Sequence, residues 1–212
     1  MNQANMIEQL VNNGYAVLQG YCKIPPSAIA EADALLTDET YKVGRSYKTN
    51  NPISLPGELY FLACNIEINQ VFGAMYPGIG CQDVFITHEY KNEEMERNNW
   101  LHFDRLRCLK AMVYLEDVGE PDGPFSVVPG SHKRGHELRS GFLGKAYEEK
   151  PNRIELDYPE LLVEPTKICG PAGTLILFDT DIFHKGGDVD DGKERKLIRS
   201  HWYVDHNWRE KS

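Results

Sequence analysis

Two short stretches hold the residues with the clearest chemical capacity. Trp100-Leu101-His102-Phe103-Asp104 sets an imidazole and a carboxylate two positions apart, and Asp181-Ile182-Phe183-His184 supplies a second imidazole far along the chain. In an extended strand, residues i and i+2 point to the same face. His102 and Asp104 can therefore ligate one ion from one strand, with Phe103 turned the other way into packing. A third ligand from a distant strand, His184, completes one triangular face of an octahedron and leaves the opposite positions open. Two imidazoles and one carboxylate in that arrangement suit a non-haem Fe(II) that binds a cosubstrate and O₂.

His-x-Asp is common by chance, and a single histidine in a strand is more often a structural hydrogen-bonding group. Here the context is stronger. Apolar residues flank the pair, and His184 follows a strongly β-forming run, Thr174-Leu175-Ile176-Leu177-Phe178. Arg195 opens another such run, which continues to Tyr203. A guanidinium inside a barrel is costly unless it meets a carboxylate in bidentate geometry.

These pieces resemble the phytanoyl-CoA dioxygenase family of Fe(II)- and 2-oxoglutarate-dependent oxygenases. The matching segments are Leu101-His102-Phe103-Asp104, then Gly123-Pro124-Phe125-Ser126-Val127-Val128-Pro129-Gly130-Ser131-His132-Lys133, then His184-Lys185-Gly186-Gly187, and Arg195. The Pro-Gly-Ser-His-Lys piece is the most specific to the family, and Gly14-Tyr15-Ala16-Val17-Leu18 fits its opening strand. The resemblance implies that His102, Asp104 and His184 are the metal ligands and catalytic centre. It also implies that 2-oxoglutarate chelates the iron and that Arg195 binds its distal carboxylate. The reaction so implied is hydroxylation of a small organic substrate by O₂, with release of succinate and CO₂. Arg199, on the same strand face, is the next candidate for the carboxylate. The chain departs from the family in two places: Gly186 stands where a serine or threonine is common, and Met112 where one member has tryptophan.

Two other readings keep the same ligands. A cupin-like metalloenzyme that uses no 2-oxoacid would need the triad but not Arg195, and a non-catalytic member of the fold would bind metal alone. Arg105 and Arg107 follow the metal carboxylate, and either an anion-holding or a solvated role suits them.

The elements that must position these groups follow from the pattern of the chain. Its 212 residues, 41% hydrophobic, suffice for one full-sized core, and the expectation is a single domain over 1–212. The net charge of −9, without a basic block, argues against nucleic acid as a partner. Five scattered cysteines with no Cys-x-x-Cys suggest reduced thiols, and neither a signal peptide nor a membrane span is seen. A soluble, cytoplasmic protein is expected, of unknown oligomeric state.

Met6, Ile7, Leu10 and Val11 recur at helical spacing, with Gly14 as the stop. Pro25-Pro26-Ser27 opens a second helix with Ser27 as its cap, and residues 58 to 75 read as a third. From Asp83 the period becomes two, with strands expected at 83–91, 101–104, 109–115, 125–128, 163–168, 173–178, 182–185 and 195–204. Residues 37–57 and 132–160 read as long mobile loops roofing a cavity. Helices first and about eight strands after predict an α+β arrangement: a double-stranded β-helix (jelly roll, cupin-like) buttressed by N-terminal helices.

Overall fold

The computed structural model describes residues 2–91 and 99–204. Helix α1 (Gln3–Asn13) starts where the Asn2 side chain accepts from the Asn5 amide. It stops at Gly14, whose φ of 83° lets its N–H reach the Leu10 carbonyl. Strand β1 (Tyr15–Leu18) and helix α2 (Pro26–Leu36) follow. Helix α2 begins at Pro26, one residue before the expected cap, because proline's fixed φ suits a first turn. The Ser27 hydroxyl is used instead on Glu58 at 2.6 Å. The long helix expected over 58–75 is two, α3 (Gly57–Cys64) and α4 (Ile66–Met75), broken at Asn65. The Asn65 side chain caps α4 by accepting from the Ile68 amide at 3.0 Å, a local bond that competes with continuing the helix.

The region read as a first loop is partly sheet. Strands β2 (Lys42–Val43) and β3 (Ser46–Thr49) lie within 37–57, and β3 pairs with β4 (Asp83–Tyr90). Beyond them come β5 (Cys108–Tyr114), β6 (Ser126–Val127), α5 (His132–Ser140), α6 (Ile154–Asp157), β7 (Thr166–Lys167), β8 (Leu175–Asp179), β9 (His184–Lys185) and β10 (Glu194–Tyr203). Seven strands form one antiparallel sheet in the order β1-β8-β5-β10-β4-β3-β2, and three form another, β7-β6-β9.

The strand period explains the layering. On one face of the large sheet Val84, Ile86, Ala111, Leu177, Ile198 and Trp202 pack against helices α1–α4. On the other, Met112, Tyr114, Ile176, Phe178 and Leu197 meet Phe125, Val127 and Ile168 of the small sheet and its flanks. The result is a jelly roll whose inner face is covered by the small sheet and whose outer face is covered by helices, as expected from the order of elements. No helix among the described residues is long and apolar enough to cross a membrane.

A third cluster joins Phe142 and Ile154, from the region read as a second loop, to Leu101, Phe103 and Phe183 beside the two histidines. Residues 132–160 thus supply α5, α6 and two large core side chains rather than a free lid. Their burial escaped the sequence because the apolar residues are too sparse to show a period.

Candidate active site

Residues 101–104 do not form a regular strand; His102 makes isolated bridges to Arg153 and His184. The second bridge brings the two imidazoles together. The His102 amide donates to the His184 carbonyl at 2.9 Å, and the His184 amide to the His102 carbonyl at 2.7 Å. The Asp104 amide donates to the Thr180 carbonyl at 2.9 Å. On the opposite edge the Ile154 amide donates to Leu101, and Asn152 Nδ2 to the Phe103 carbonyl at 2.7 Å. Extended geometry is thereby imposed from both sides. His102 and Asp104 face the cavity while Phe103 stacks on Phe142, ring centroids 5.8 Å apart.

One ligand atom from each of His102, Asp104 and His184 lies within 4.8 Å of the others. Asp104 Oδ1 is 3.7 Å from His102 Nε2 and 3.6 Å from His184 Nε2. His102 Nδ1 meets the Trp100 carbonyl at 2.6 Å and His184 Nδ1 meets the Ile182 carbonyl at 2.8 Å. A carbonyl only accepts, so each Nδ1 carries the proton and each Nε2 offers its lone pair to the shared point. Burial, with repulsion from His184, pushes His102 down to about 3, so it is neutral as a ligand must be. Burial opposes the charge on Asp104, but Lys110 and the two histidines hold its carboxyl well below the usual range.

Lys110 is a site residue that the sequence reading missed. It lies on β5, 6% exposed, with Nζ 2.5 Å from Asp104 Oδ2. One carboxylate oxygen therefore faces the histidines and the other is held by the ammonium. The only signal was a lysine inside a run otherwise fit for burial, Cys108-Leu109-Lys110-Ala111-Met112-Val113.

Arg195 is 4% exposed on β10 and shares the inner face with Leu197, Arg199 and His201. Its Nε and Nη1 are buried without a hydrogen-bond partner, as is Nε of Arg199. Burial lowers the pKa of Arg195. Orphaned guanidinium donors are expensive, and an anion entering the cavity would satisfy them. That cavity is lined by His102, Asp104, His184, Lys110, Met112 and Arg195 among others, with Gly186 also at its wall. The donor set thus fits a divalent metal, and the guanidinium in the same cavity, with two unpartnered donors, fits the far carboxylate of a dicarboxylic acid.

The Pro-Gly-Ser-His piece proves to be a brace. Ser131 Oγ accepts from the Phe183 amide at 2.8 Å and donates to the Val128 carbonyl at 2.7 Å. His132 Nε2 reaches the Val11 carbonyl at 3.1 Å at the end of α1. The turn therefore fixes the chain immediately before His184. Asp181, in the same stretch, is a hub rather than a ligand: Arg107 (3.1 Å), Arg139 and His136 (3.3 Å) converge on it. Arg107 also pairs with Asp179 at 2.7 Å. Arg107 is therefore structural, whereas Arg105 lines a cavity.

Comparison with known proteins agrees with this geometry. Residues 85–197, just over half of the chain, match the family model for phytanoyl-CoA dioxygenase. An ectoine dioxygenase of Stutzerimonas stutzeri is 28% identical over 156 residues, covering 69% of this chain and 50% of that protein. One from Bordetella parapertussis is 24% identical over 131 residues, covering 58% and 41%. The chain spans about half the length of the curated relatives it matches. Among solved structures, the non-haem α-ketoglutarate-dependent carbocyclase SnoK of nogalamycin biosynthesis superposes with a TM-score of 0.67 at 16% identity, covering 94% of this chain and 83% of that one. HygX from Streptomyces hygroscopicus, with nickel, 2-oxoglutarate and hygromycin B bound, gives 0.62 at 14% identity, covering 94% and 86%. At those identities the structures speak to the fold, while the family model speaks to descent: the chain belongs to the phytanoyl-CoA dioxygenase family.

Proposed function

We propose that the protein is an Fe(II)- and 2-oxoglutarate-dependent dioxygenase, a single catalytic domain that hydroxylates a small organic molecule. His102, Asp104 and His184 are its metal ligands and Arg195 its anchor for 2-oxoglutarate. One observation carries the reading: two Nε2 lone pairs and one carboxylate oxygen converge in the cavity that also holds a buried guanidinium with unpartnered donors. The net reaction is R–H + O₂ + 2-oxoglutarate → R–OH + succinate + CO₂, with one oxygen atom of O₂ in each of the first two products. Bound Fe(II) with 2-oxoglutarate supplies the O₂ chemistry.

The chain's own work is positional. The carbonyls of Trp100 and Ile182 fix both histidine tautomers. Lys110 holds Asp104 Oδ2, so that Oδ1 is the oxygen presented to the metal. Arg195, planar and with adjacent free donors, orients the distal carboxylate and hence the keto acid's chelating end. Phe125 and Phe178 pack on the His184 ring at 5.6 and 5.3 Å and keep water from that side.

Anaerobic addition of Fe(II) and then 2-oxoglutarate should produce the weak visible charge-transfer band of a chelated complex. A protein that binds Fe(II) but forms no band with 2-oxoglutarate would favour a cupin-like metalloenzyme without a 2-oxoacid. Relatives named as ectoine dioxygenases support a small organic substrate.

A further inference from the structure

His102 and Asp104 wall two cavities. The Arg195 cavity is one; the other shares only those two residues with it and is lined further by Arg105, Cys108, Tyr147, Asn152, His201 and Tyr203. The second cavity has a volume of about 250 Å³. Nothing in the proposed handling of iron or 2-oxoglutarate uses it.

We propose that this second cavity is the substrate pocket, and that it takes a small carboxylic acid bearing an N–H or O–H donor, with the carboxylate on Arg105 and the donor on Asn152 Oδ1. The proposal rests on the oxygenase reading above and adds the substrate class to it.

Arg105 is built as an anion site. Its Nε donates to the Lys150 carbonyl at 2.9 Å, which leaves the terminal nitrogens of the fork for a ligand. Its guanidinium lies 5.2 Å from the Tyr147 ring centroid, and Lys150 Nζ lies 6.0 Å from the same ring. Two cations thus share one aromatic ring, and Arg105 has no carboxylate partner among the described residues. Arg107 is the contrast: same residue type, two positions on, and committed to Asp179 and Asp181. A planar fork held by one backbone bond suits a carboxylate in bidentate contact.

Asn152 is 4% exposed, and its orientation is fixed. Its Nδ2 donates to Phe103 and its backbone amide to Asp157 Oδ2 at 2.8 Å, yet its Oδ1 is buried without a partner. A buried acceptor left unpaired is costly, and a ligand N–H or O–H removes that cost. His201, 6% exposed, contributes a second unpartnered atom, Nε2, on the same lining. Burial and the charges of Lys110 and Arg199 keep that ring neutral, so it meets a polar group of the ligand without adding charge. The chemistry of the walls thus calls for a ligand that is polar at both ends.

Size narrows the class. A volume of 250 Å³ equals the liquid share of about eight water molecules. It falls below the roughly 300–1,000 Å³ of pockets for drug-sized ligands. An amino or hydroxy acid of a few carbons fills this volume with its C–H bonds beside His102 and Asp104.

The test begins with the anaerobic protein loaded with Fe(II) and 2-oxoglutarate. If the charge-transfer band does not form, the oxygenase reading fails and the pocket is not being judged. Where the band forms, small amino and hydroxy acids are added at millimolar concentration, each beside its amide and its decarboxylated amine or alcohol. The expected result is that at least one acid shifts the band and raises Tm, with its amide and decarboxylated partner about tenfold weaker or worse. Arg105→Gln should weaken that acid about tenfold or more while keeping the 2-oxoglutarate band, and Arg105→Lys should recover part of the loss. The proposal is overturned if no acid binds while the band is present, if amide and acid bind equally, or if Arg105→Gln leaves binding unchanged. The acid-against-amide comparison on the unmutated protein stands even if the variants fail to fold.

Discussion

Lys110 is the residue whose role depends most on its surroundings. Its ammonium and the Asp104 carboxylate form a pair with side chains only 8% and 22% exposed. Removing one partner of a buried pair costs about 3–5 kcal/mol, and a bound cation would replace the lost positive charge beside Asp104. Lys110→Met should therefore destabilise the metal-free protein by about that amount and the Fe(II)-loaded protein by clearly less, as read from urea denaturation with and without metal. Equal losses in both states would mean that Lys110 does not act through Asp104. At Arg195 the expectation is a binding effect. Arg195→Ala should weaken 2-oxoglutarate by about 2–5 kcal/mol, the range for truncating one member of a desolvated charge pair, with little change in Fe(II) affinity. Titration of the charge-transfer band checks it. Unchanged 2-oxoglutarate affinity would transfer the role to Arg199, whose Nε is likewise unpartnered on the same strand face.

At the scale of elements, helix α5 sets the position of the His184 segment. Gly135 lies so close to it that an added Cβ would stand 1.9 Å from the Asp181 carbonyl oxygen. Arg139 of the same helix pairs with the Asp181 carboxylate. Gly135→Ala must push the helix off a backbone that leads directly into His184, a proposed metal ligand. Overpacking of this kind costs about 1–3 kcal/mol or more. The variant should show both a lower Tm and weaker Fe(II) binding, whereas Gly80→Ala, with open space at its Cβ, should show neither. Retained metal affinity at lowered Tm would separate α5 from the site. The same contacts revise the view of 132–160 as a free lid. Ile154 is fully buried and its amide is bonded to Leu101, while Leu143 is 95% exposed. Hydrogen exchange should accordingly be slow at 152–154 and fast near 143–148.

On the scale of the whole molecule, the large sheet divides labour between its faces. One face is apolar and packs on helices; the other carries Lys110, Arg195, Arg199 and His201 into the interior. Such an interior makes stability depend on pH. His102 is lowered to about 3 and His201 well below its ordinary 6.5, chiefly by burial. Below pH 6.5 the unfolded chain takes up protons that the folded chain refuses. Stability is thus complete above about 6.5 and is lost as pH falls from there towards 3. The loss approaches about 1.4 kcal/mol per pH unit for each such histidine. Asp104, held low in the fold, adds to the loss once the pH nears its unfolded value of 3.8. Denaturant melts of the metal-free protein at pH 7.5, 6 and 4.5 test this. A flat profile would place His102 and His201 in water rather than in the interior. A proton competes for the His102 Nε2 lone pair only as the pH nears 3, so loss of Fe(II) at milder acidity would follow from unfolding rather than from protonation of that ligand.

The sequence alone determined the residues that period and spacing make visible. His102 and Asp104 two positions apart, His184 after a β run and Arg195 opening another were legible because strand geometry converts such spacing into a common face. The helix stop at Gly14 and the order of helices before strands were legible for similarly local reasons. Tertiary structure alone decided the rest. Lys110 became a site residue only when β5 set it beside Asp104, for its neighbours in sequence gave no sign of a carboxylate. Asn152 and Tyr147 reached the cavity through a segment with no hydrophobic period, held by backbone bonds to Leu101 and Phe103. Arg105 and Arg107, alike in sequence, were separated by where Asp179 and Asp181 lie. A periodic pattern reports what one element does with its own faces, whereas an ion pair, an orphaned acceptor or a shared cavity depends on which distant element folds against it.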